Sequence, residues 1–428
     1  MTNQTQADPD KGVRQSMHRR AAPALLAATL ASATPATAQQ AGESFPDGPG
    51  KSAVLGICGG CHDLNRLTVG YTPEGWHTVI RMMQNFGAPI PPDQVATITD
   101  YVTKSFPEKP RPAAVLLAGS IDVTIKEWPV ATPGSRPHDP LAARDGSIWY
   151  SGQLANVLGH LDPATGQIKE YHLNPQTGPH GLKEDKDGNI WFTGNFAGLI
   201  GKLSPATGAV TEYKMPDPLA KDPHTLVFDH DGIIWFTAQV GNKVGRLDPK
   251  TGEIKLVTPP TVNARPYGIV VNSKNVVYFV EFGAPKIATI DSKTMAIREY
   301  PLPDPSARPR RLAIGAGDMI WYSDFARGYL GRLDPVTGEV KEWPSPSGPK
   351  SQPYGMVFTK GAVWYNESGA KPNTIVRFDP ATEKFQSWAI PGGGDIVRNM
   401  DVNRDGNPVM ANSLVNKVGV IEIKGASN

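Results

Sequence analysis

Asp231-Gly232-Ile233-Ile234-Trp235-Phe236-Thr237, followed by Asn242-Lys243-Val244-Gly245-Arg246-Leu247-Asp248-Pro249-Lys250-Thr251-Gly252, is an apolar strand centred on an aromatic pair and then a tight turn. The unit repeats along the chain. The turn first occurs as Asp162-Pro163-Ala164-Thr165-Gly166. It recurs, with small departures, from Ser204, Asp248, Asp291, Asp334 and Asp379, at steps of 42, 44, 43, 43 and 45 residues. The aromatic pairs keep step with it: Trp149-Tyr150, Trp191-Phe192, Trp235-Phe236, Tyr278-Phe279, Trp321-Tyr322 and Trp364-Tyr365. Such a period is one four-stranded blade per repeat of a propeller, with the aromatic pairs packed between blades. A seventh repeat, about 396–424, stops before its outer strand. Thr124-Ile125-Lys126-Glu127-Trp128-Pro129 matches Glu339-Val340-Lys341-Glu342-Trp343-Pro344 from within the array. The N-terminal strand is therefore predicted to complete the last blade and close a seven-bladed ring that has no free sheet edge.

The repeat unit, together with Gly178-Pro179-His180-Gly181-Leu182, resembles virginiamycin B lyase and its streptogramin lyase relatives over about residues 121–424. The resemblance implies the fold. It also implies an elimination that opens a cyclic depsipeptide, with a Mg²⁺ ion and a His general base helped by Glu, from the last blades. Here the sixth blade offers Tyr354 and Glu367, and the seventh offers Arg398 and Asn412. Only Glu367 suits the family's role. Tyr and Arg are poor proton acceptors near neutral pH.

The repeat also gives a register for the central channel. The residue after each blade-opening position is, in order, His138, His180, His224, Tyr267, Arg310, Tyr354 and Arg398. The residue closing each aromatic strand is Gly152, Gly194, Ala238, Glu281, Asp324, Glu367 and Asn412. Both sets are predicted to converge at one mouth. The candidates for catalysis are His180, His224, Glu281, Asp324 and Glu367. His138, His180 and His224 are candidate ligands for a transition metal, with carboxylates opposite. Duplication of one blade explains three histidines equally well. His160, His172 and His230 fall in turns or outer strands and read as surface residues.

Upstream of the array, Cys58-Gly59-Gly60-Cys61-His62 is a C-x-x-C-H run that contains the chain's two cysteines. Its spacing matches thiol addition to the two vinyl groups on one edge of a haem, with His62 facing the iron. A thioredoxin-like dithiol would call for a βαβ context. Trp76, Val79, Met83 and Phe86 recur at helical spacing, as do Val95, Ile98, Tyr101 and Val102 in a second helix from about Pro92 to Ser105. The stretch from Trp76 to Ala88 resembles the Trp…Met…Gly-Ala segment of haem domains fused to or partnered with periplasmic dehydrogenases. By that resemblance the second axial ligand is Met83, with Met82 the alternative. Thioether ligation raises the reduction potential relative to two imidazoles. Before this lie His18-Arg19-Arg20, an apolar run from Ala21 to Thr34, and Ala36-Thr37-Ala38, the pattern of a cleaved export signal, with Met17 a possible start.

The predicted fold class is therefore multidomain: a small all-α class I cytochrome c domain followed by an all-β seven-bladed propeller. Residues 1–38 are the signal, 39–112 the haem domain and linker, and 113–428 the propeller. The formal charge of +2 matches the excess of Lys11, Arg14, Arg19 and Arg20 over Asp8 and Asp10 in the leader, so the rest is near neutral. That balance gives no reason to expect nucleic acid or an anionic membrane as partner. No other long apolar stretch follows. Three readings follow. The first is a periplasmic redox protein with one covalent haem c, a redox partner, and a small-molecule substrate or a metal (Mg²⁺ or a transition metal) in the channel. The second is an electron-transfer or docking module with an inert propeller. The third is a streptogramin lyase-like C–O lyase with a fused haem domain. An oxidoreductase is favoured over the lyase, because elimination moves no electrons and leaves a haem without a role.

Overall fold

The computed structural model describes residues 45–60, 63–85 and 87–424; the leader 1–38, Cys61, His62 and Phe86 lie outside the described residues. Each repeat turns back on itself through its own side chains. In the first blade the Asp162 carboxylate accepts from the Ala164 N–H and the Thr165 hydroxyl. Gly166 takes a φ of 74° there, a left-handed conformation that costs glycine least. This turn joins the strands Val157–Leu161 and Ile168–His172.

The Gly of the Val-Gly-Arg-Leu stretch has a different reason. Gly245 lies opposite Phe236, and a Cβ on it would sit 2.2 Å from the ring. Gly159, Gly201 and Gly331 lie in the same way under Tyr150, Phe192 and Tyr322. The missing side chain makes room for the aromatic pair. The rings of Tyr150, Phe192, Phe236, Phe279, Tyr322 and Tyr365 are fully buried, as are Trp191, Trp235, Trp321 and Trp364. They fill the spaces between blades, where large apolar surfaces contribute most to stability.

The strands form seven four-stranded antiparallel sheets. Blades 1 to 6 occupy residues 137–172, 179–214, 223–257, 266–301, 309–344 and 353–389. Blade 7 takes three strands from residues 397–424, and its outer strand is Asp122–Pro129. That strand pairs with Lys417–Lys424 in unbroken register, from Asp122 opposite Lys424 to Pro129 opposite Lys417. The ring thus closes as the matching sequences require, with both ends of the propeller locked in one sheet.

The residues before the propeller form a helical segment. A short turn, Lys51–Ala53, runs into π-helical Val54–Cys58. Two α-helices follow, α1 (Pro73–Asn85) and α2 (Val95–Ser105). Trp76 is buried between them, and its indole N–H donates to the Phe106 carbonyl at 2.8 Å. The core around it includes Val54, Leu64, Ile80, Ile98, Tyr101 and Val102. His77 is exposed, as its place one residue after Trp76 implies.

This segment is seated on the propeller. Met82 packs against Leu154 of blade 1 and Leu414 of blade 7. Asn85 donates to the Pro133 carbonyl at 3.0 Å. Arg111 pairs with Asp395, and Lys371 with Glu108. The linker then runs along blade 6, where Leu117 and Ser387 exchange hydrogen bonds. No helix among the described residues is long and apolar enough to cross a membrane.

Candidate functional site

Every inner strand carries the same irregularity near its start. Pairing with the second strand skips between Pro137 and Pro140, and likewise between Pro179 and Leu182, Pro223 and Leu226, Pro266 and Ile269, and Pro309 and Leu312. Such a bulge re-aims side chains that strict alternation would send to opposite faces. Two consecutive residues per blade therefore approach the axis. The N–H groups it frees need acceptors. They find them in the Ser or Thr after the aromatic pair. Asp139 N–H donates to Ser151 Oγ, which donates to the His180 carbonyl of the next blade. Thr193, Thr237 and Ser323 bridge the next blades in the same way.

The first of the two residues gives the expected ring. His138, His180 and His224 stack in succession, with ring centroids 3.6 and 3.8 Å apart. Tyr267 continues the stack at 3.8 Å and shares a 2.5 Å hydrogen bond with Tyr354 across the mouth. All three imidazoles are buried. Burial pushes their pKa values well below the ordinary histidine range, and neighbouring imidazoles and the guanidinium groups of Arg311 and Arg398 push the same way. They are neutral at pH 7.

The second residue gives a plug that strand alternation did not reveal. Asp139 of blade 1, Thr225 of blade 3, Arg311 of blade 5 and Asn399 of blade 7 meet across the axis. Arg311 reaches Asp139 at 3.1 Å and Thr225 Oγ1 at 2.9 Å, and Asn399 donates to Asp139 at 2.8 Å. His138 Nδ1–H donates to the same carboxylate at 2.8 Å. Both ions of the pair are 3% exposed or less, so each needs the other to offset its desolvation. The plug separates two axial cavities. One, of about 220 Å³, is lined by Leu182, Arg311, Met356 and Asp401. The other, of about 270 Å³, is lined by the three histidines, Tyr267, Arg310 and Arg398.

None of the three carboxylates predicted to face the histidines lines their cavity, and two of them are engaged elsewhere. Asp324 accepts from the N–H groups of Arg308, Ala326 and Arg327 and from the Arg327 side chain. Glu367 accepts from Ser345, Ser347 and Thr374. Glu281 lies fully buried with neither oxygen hydrogen-bonded. The second-strand end points along the sheet toward the outer strands, and the bulge diverts only the inner strand.

Glu281 makes a testable case of its own. Burial, then the nearby charge of Glu299, raises its pKa from 4.5 to about 7. Below pH 4.5 the carboxyl is protonated in folded and unfolded chains alike. Between 4.5 and 7 only the unfolded chain ionises, so stability falls as pH rises through that window; above it the penalty is constant. Glu281→Gln should raise the thermal midpoint at pH 8 and leave it near wild type at pH 4.5. An equal change at both pH values would mean altered packing, not a buried charge.

A metal fits the histidine cluster poorly. His138, Asp139 and His180 offer ligand atoms within 4.8 Å of one another. Yet Asp139 is already committed to Arg311, and a dication there would face that guanidinium directly. His224, the third expected ligand, bonds Thr225 through Nδ1. For Mg²⁺ the donor set lacks free carboxylates.

In the helical segment, Cys58 and Met83 pack against one cluster with Val54, Leu64 and Trp76. Met82, the alternative ligand, is buried against the propeller, in a contact that Met83 also touches.

Sequence and structure comparisons agree on the propeller. The sequence model of the virginiamycin B lyase family matches residues 117–378. A streptogramin B lyase structure aligns at 28% identity and a TM-score of 0.64, covering 71% of this chain and 98% of that one. Virginiamycin B lyase from Staphylococcus aureus aligns at 24% identity and a TM-score of 0.64, covering 70% and 99%. Hydrazine synthase from Kuenenia stuttgartiensis, at 13% identity, 69% and 97% coverage and a TM-score of 0.57, shares the fold alone. No curated protein matches the chain.

Proposed function

The chain belongs to the virginiamycin B lyase family, and from that premise we propose that it is a periplasmic c-type haem protein in which the family's propeller serves a covalently attached haem. The observation that carries this reading is that Cys58 and Met83 both pack against the helical core, which Met82 does not join. A C-x-x-C-H thiol and a candidate thioether ligand against one small helical core fit a haem held by Cys58, Cys61, His62 and Met83. When bound, the haem supplies one-electron transfer.

The chain's own residues then tie that core to the channel. Met83 packs against both the helical core and the contact that Met82, the preceding residue of α1, makes with Leu154 and Leu414. Tyr71 likewise packs against both, so the helical core and the propeller share one apolar contact. The substrate would be a small molecule and the electron acceptor or donor a periplasmic redox protein. Whether the propeller reacts with the substrate or only binds it is the difference between a redox enzyme and its electron-transfer component.

A lyase reading is favoured by the family match itself. Its geometric support is thin. Glu367 is saturated by three hydroxyl-bearing residues, Asp324 is held by Arg327, and the blade 6 and 7 channel positions are Tyr354 and Arg398.

The test has two arms on the purified holoprotein. Met83→Ala should alter the reduced-state haem spectrum and lower the reduction potential, and Met82→Ala should leave both near wild type. The reverse pattern would reassign the ligand, and no haem spectrum at all would end the proposal. Rapid Mg²⁺-dependent ring opening of a streptogramin B would place the lyase reading first.

A further inference from the structure

The axial mouth is unusually rich in uncompensated positive charge. Four guanidinium groups, Arg136, Arg265, Arg310 and Arg398, line the 270 Å³ cavity, against the single carboxylate of Asp222. Among the described residues none of the four forms an ion pair with Asp or Glu. Arg136 donates to the Gln153 amide, Arg310 to Tyr267 and Arg398 to Ser413, all neutral acceptors. Arg310 Nε is inaccessible and has no hydrogen-bond partner. Asp222 accepts from Asn195, and of the four arginines only Arg265 acts on its charge.

A further observation points into the same space. Tyr354 would have its pKa raised by burial, yet the guanidiniums of Arg310, Arg398 and Arg311 outweigh burial and bring it below the usual phenol range. A positive potential that strong, in a cavity from which water is partly excluded, is costly unless an anion answers it. The walls are not phosphate-like. The Arg310 guanidinium lies over the rings of Tyr354, Phe325, Phe282 and Tyr267, at 3.8 to 5.2 Å from their centroids. That sandwich holds its planar fork at a fixed angle, suited to bidentate pairing with a planar anion.

We propose that the propeller mouth is a binding site for a small organic carboxylate with an apolar body, its carboxylate held by Arg310 and Arg398 and its body against Tyr267 and Phe282. The volume lies just under the roughly 300–1,000 Å³ of sites for drug-sized ligands, which restricts the ligand to a small one. The buried imidazoles are held in their neutral form and add no charge to the site. The site does not depend on the haem reading, since every residue in it belongs to the propeller.

Benzoate is the probe, with benzamide as its neutral isostere and inorganic phosphate as a competitor, titrated calorimetrically into the full-length protein. Benzoate should bind with a dissociation constant of about 1 mM or tighter, and benzamide at least about 10-fold more weakly. Arg310→Gln and Arg398→Gln should each weaken benzoate by about 10- to 100-fold. Benzoate should raise the thermal midpoint of the wild type and not of these variants. Arg398→Gln alone carries the test should Arg310→Gln not fold. Failure of benzoate to bind, equal binding of benzamide, phosphate binding in its place, or unchanged affinity in the arginine variants would overturn the assignment.

Discussion

Asp139→Ala should destabilise the propeller by about 3–5 kcal/mol. The carboxylate is the meeting point of three blades. It accepts from Arg311 of blade 5, Asn399 of blade 7 and His138 of its own strand. Removing it leaves a guanidinium that is 3% exposed facing no anion, and a buried charge without a partner is among the costliest single defects a fold can carry. The measurement is the shift in denaturant midpoint at constant slope. The companion variant Asp139→Ala with Arg311→Met tests the cause. Replacing both ions by apolar groups removes the desolvation penalty along with the pair, so much of the lost stability should return. A single-site loss under about 1 kcal/mol would show that water reaches Arg311 and that the plug is not closed.

Cys58→Ser combined with Cys61→Ser should abolish covalently bound haem completely. Wild-type protein, denatured and run on a gel, should keep its haem in the protein band, and the double variant should show none there. The effect is expected to be all-or-none because thioether bonds would survive unfolding, whereas the proposed iron ligation by His62 and Met83 would not. His62→Ala should therefore give the opposite signature, with haem retained on the denaturing gel and the native spectrum disturbed. Haem that stays with the doubly substituted chain after denaturation would sink the proposal. Mass spectrometry of the same material gives the N-terminus, where cleavage near Ala38 is expected if attachment follows export.

Much of the helical segment was legible for the same reason that such segments usually are. Trp76 of α1 and Ile98, Tyr101 and Val102 of α2 are buried where helical spacing places them, whereas Val79, Met83 and Val95 are only partly buried and the buried Ile80 and Met82 lie outside the predicted face. The spacing could not separate Met82 from Met83. Adjacent residues on a helix differ by about 100° of rotation, and docking of α1 against Leu154 and Leu414 buries Met82 while Met83 packs only at the edge of that contact. Those two leucines lie in different blades at opposite ends of the propeller chain, so no local pattern joins them to the helix.

For the propeller, the chain alone determined everything that rests on near neighbours. The Asp-Pro-x-Thr-Gly turn closes through bonds between residues two and three apart. The glycine of the third strand answers an aromatic on the adjoining strand. Repetition of these short-range rules fixes the blade, the count of blades and the strand that closes the ring. The polar axis obeys no such rule. The repeat register placed His138, His180 and His224 on the channel, and they line its cavity. It also placed Glu281, Asp324 and Glu367 beside them, and it hid Asp139 and Arg311. Alternation holds only while pairing is regular, and each inner strand breaks register just after its opening residue. Arg311 and Asp139 are 172 residues apart, and Asn399 and Asp139 260. Only closure of the whole ring brings such residues to one point, so the tertiary structure alone decided which charges pair there and which guanidiniums are left to bind something else.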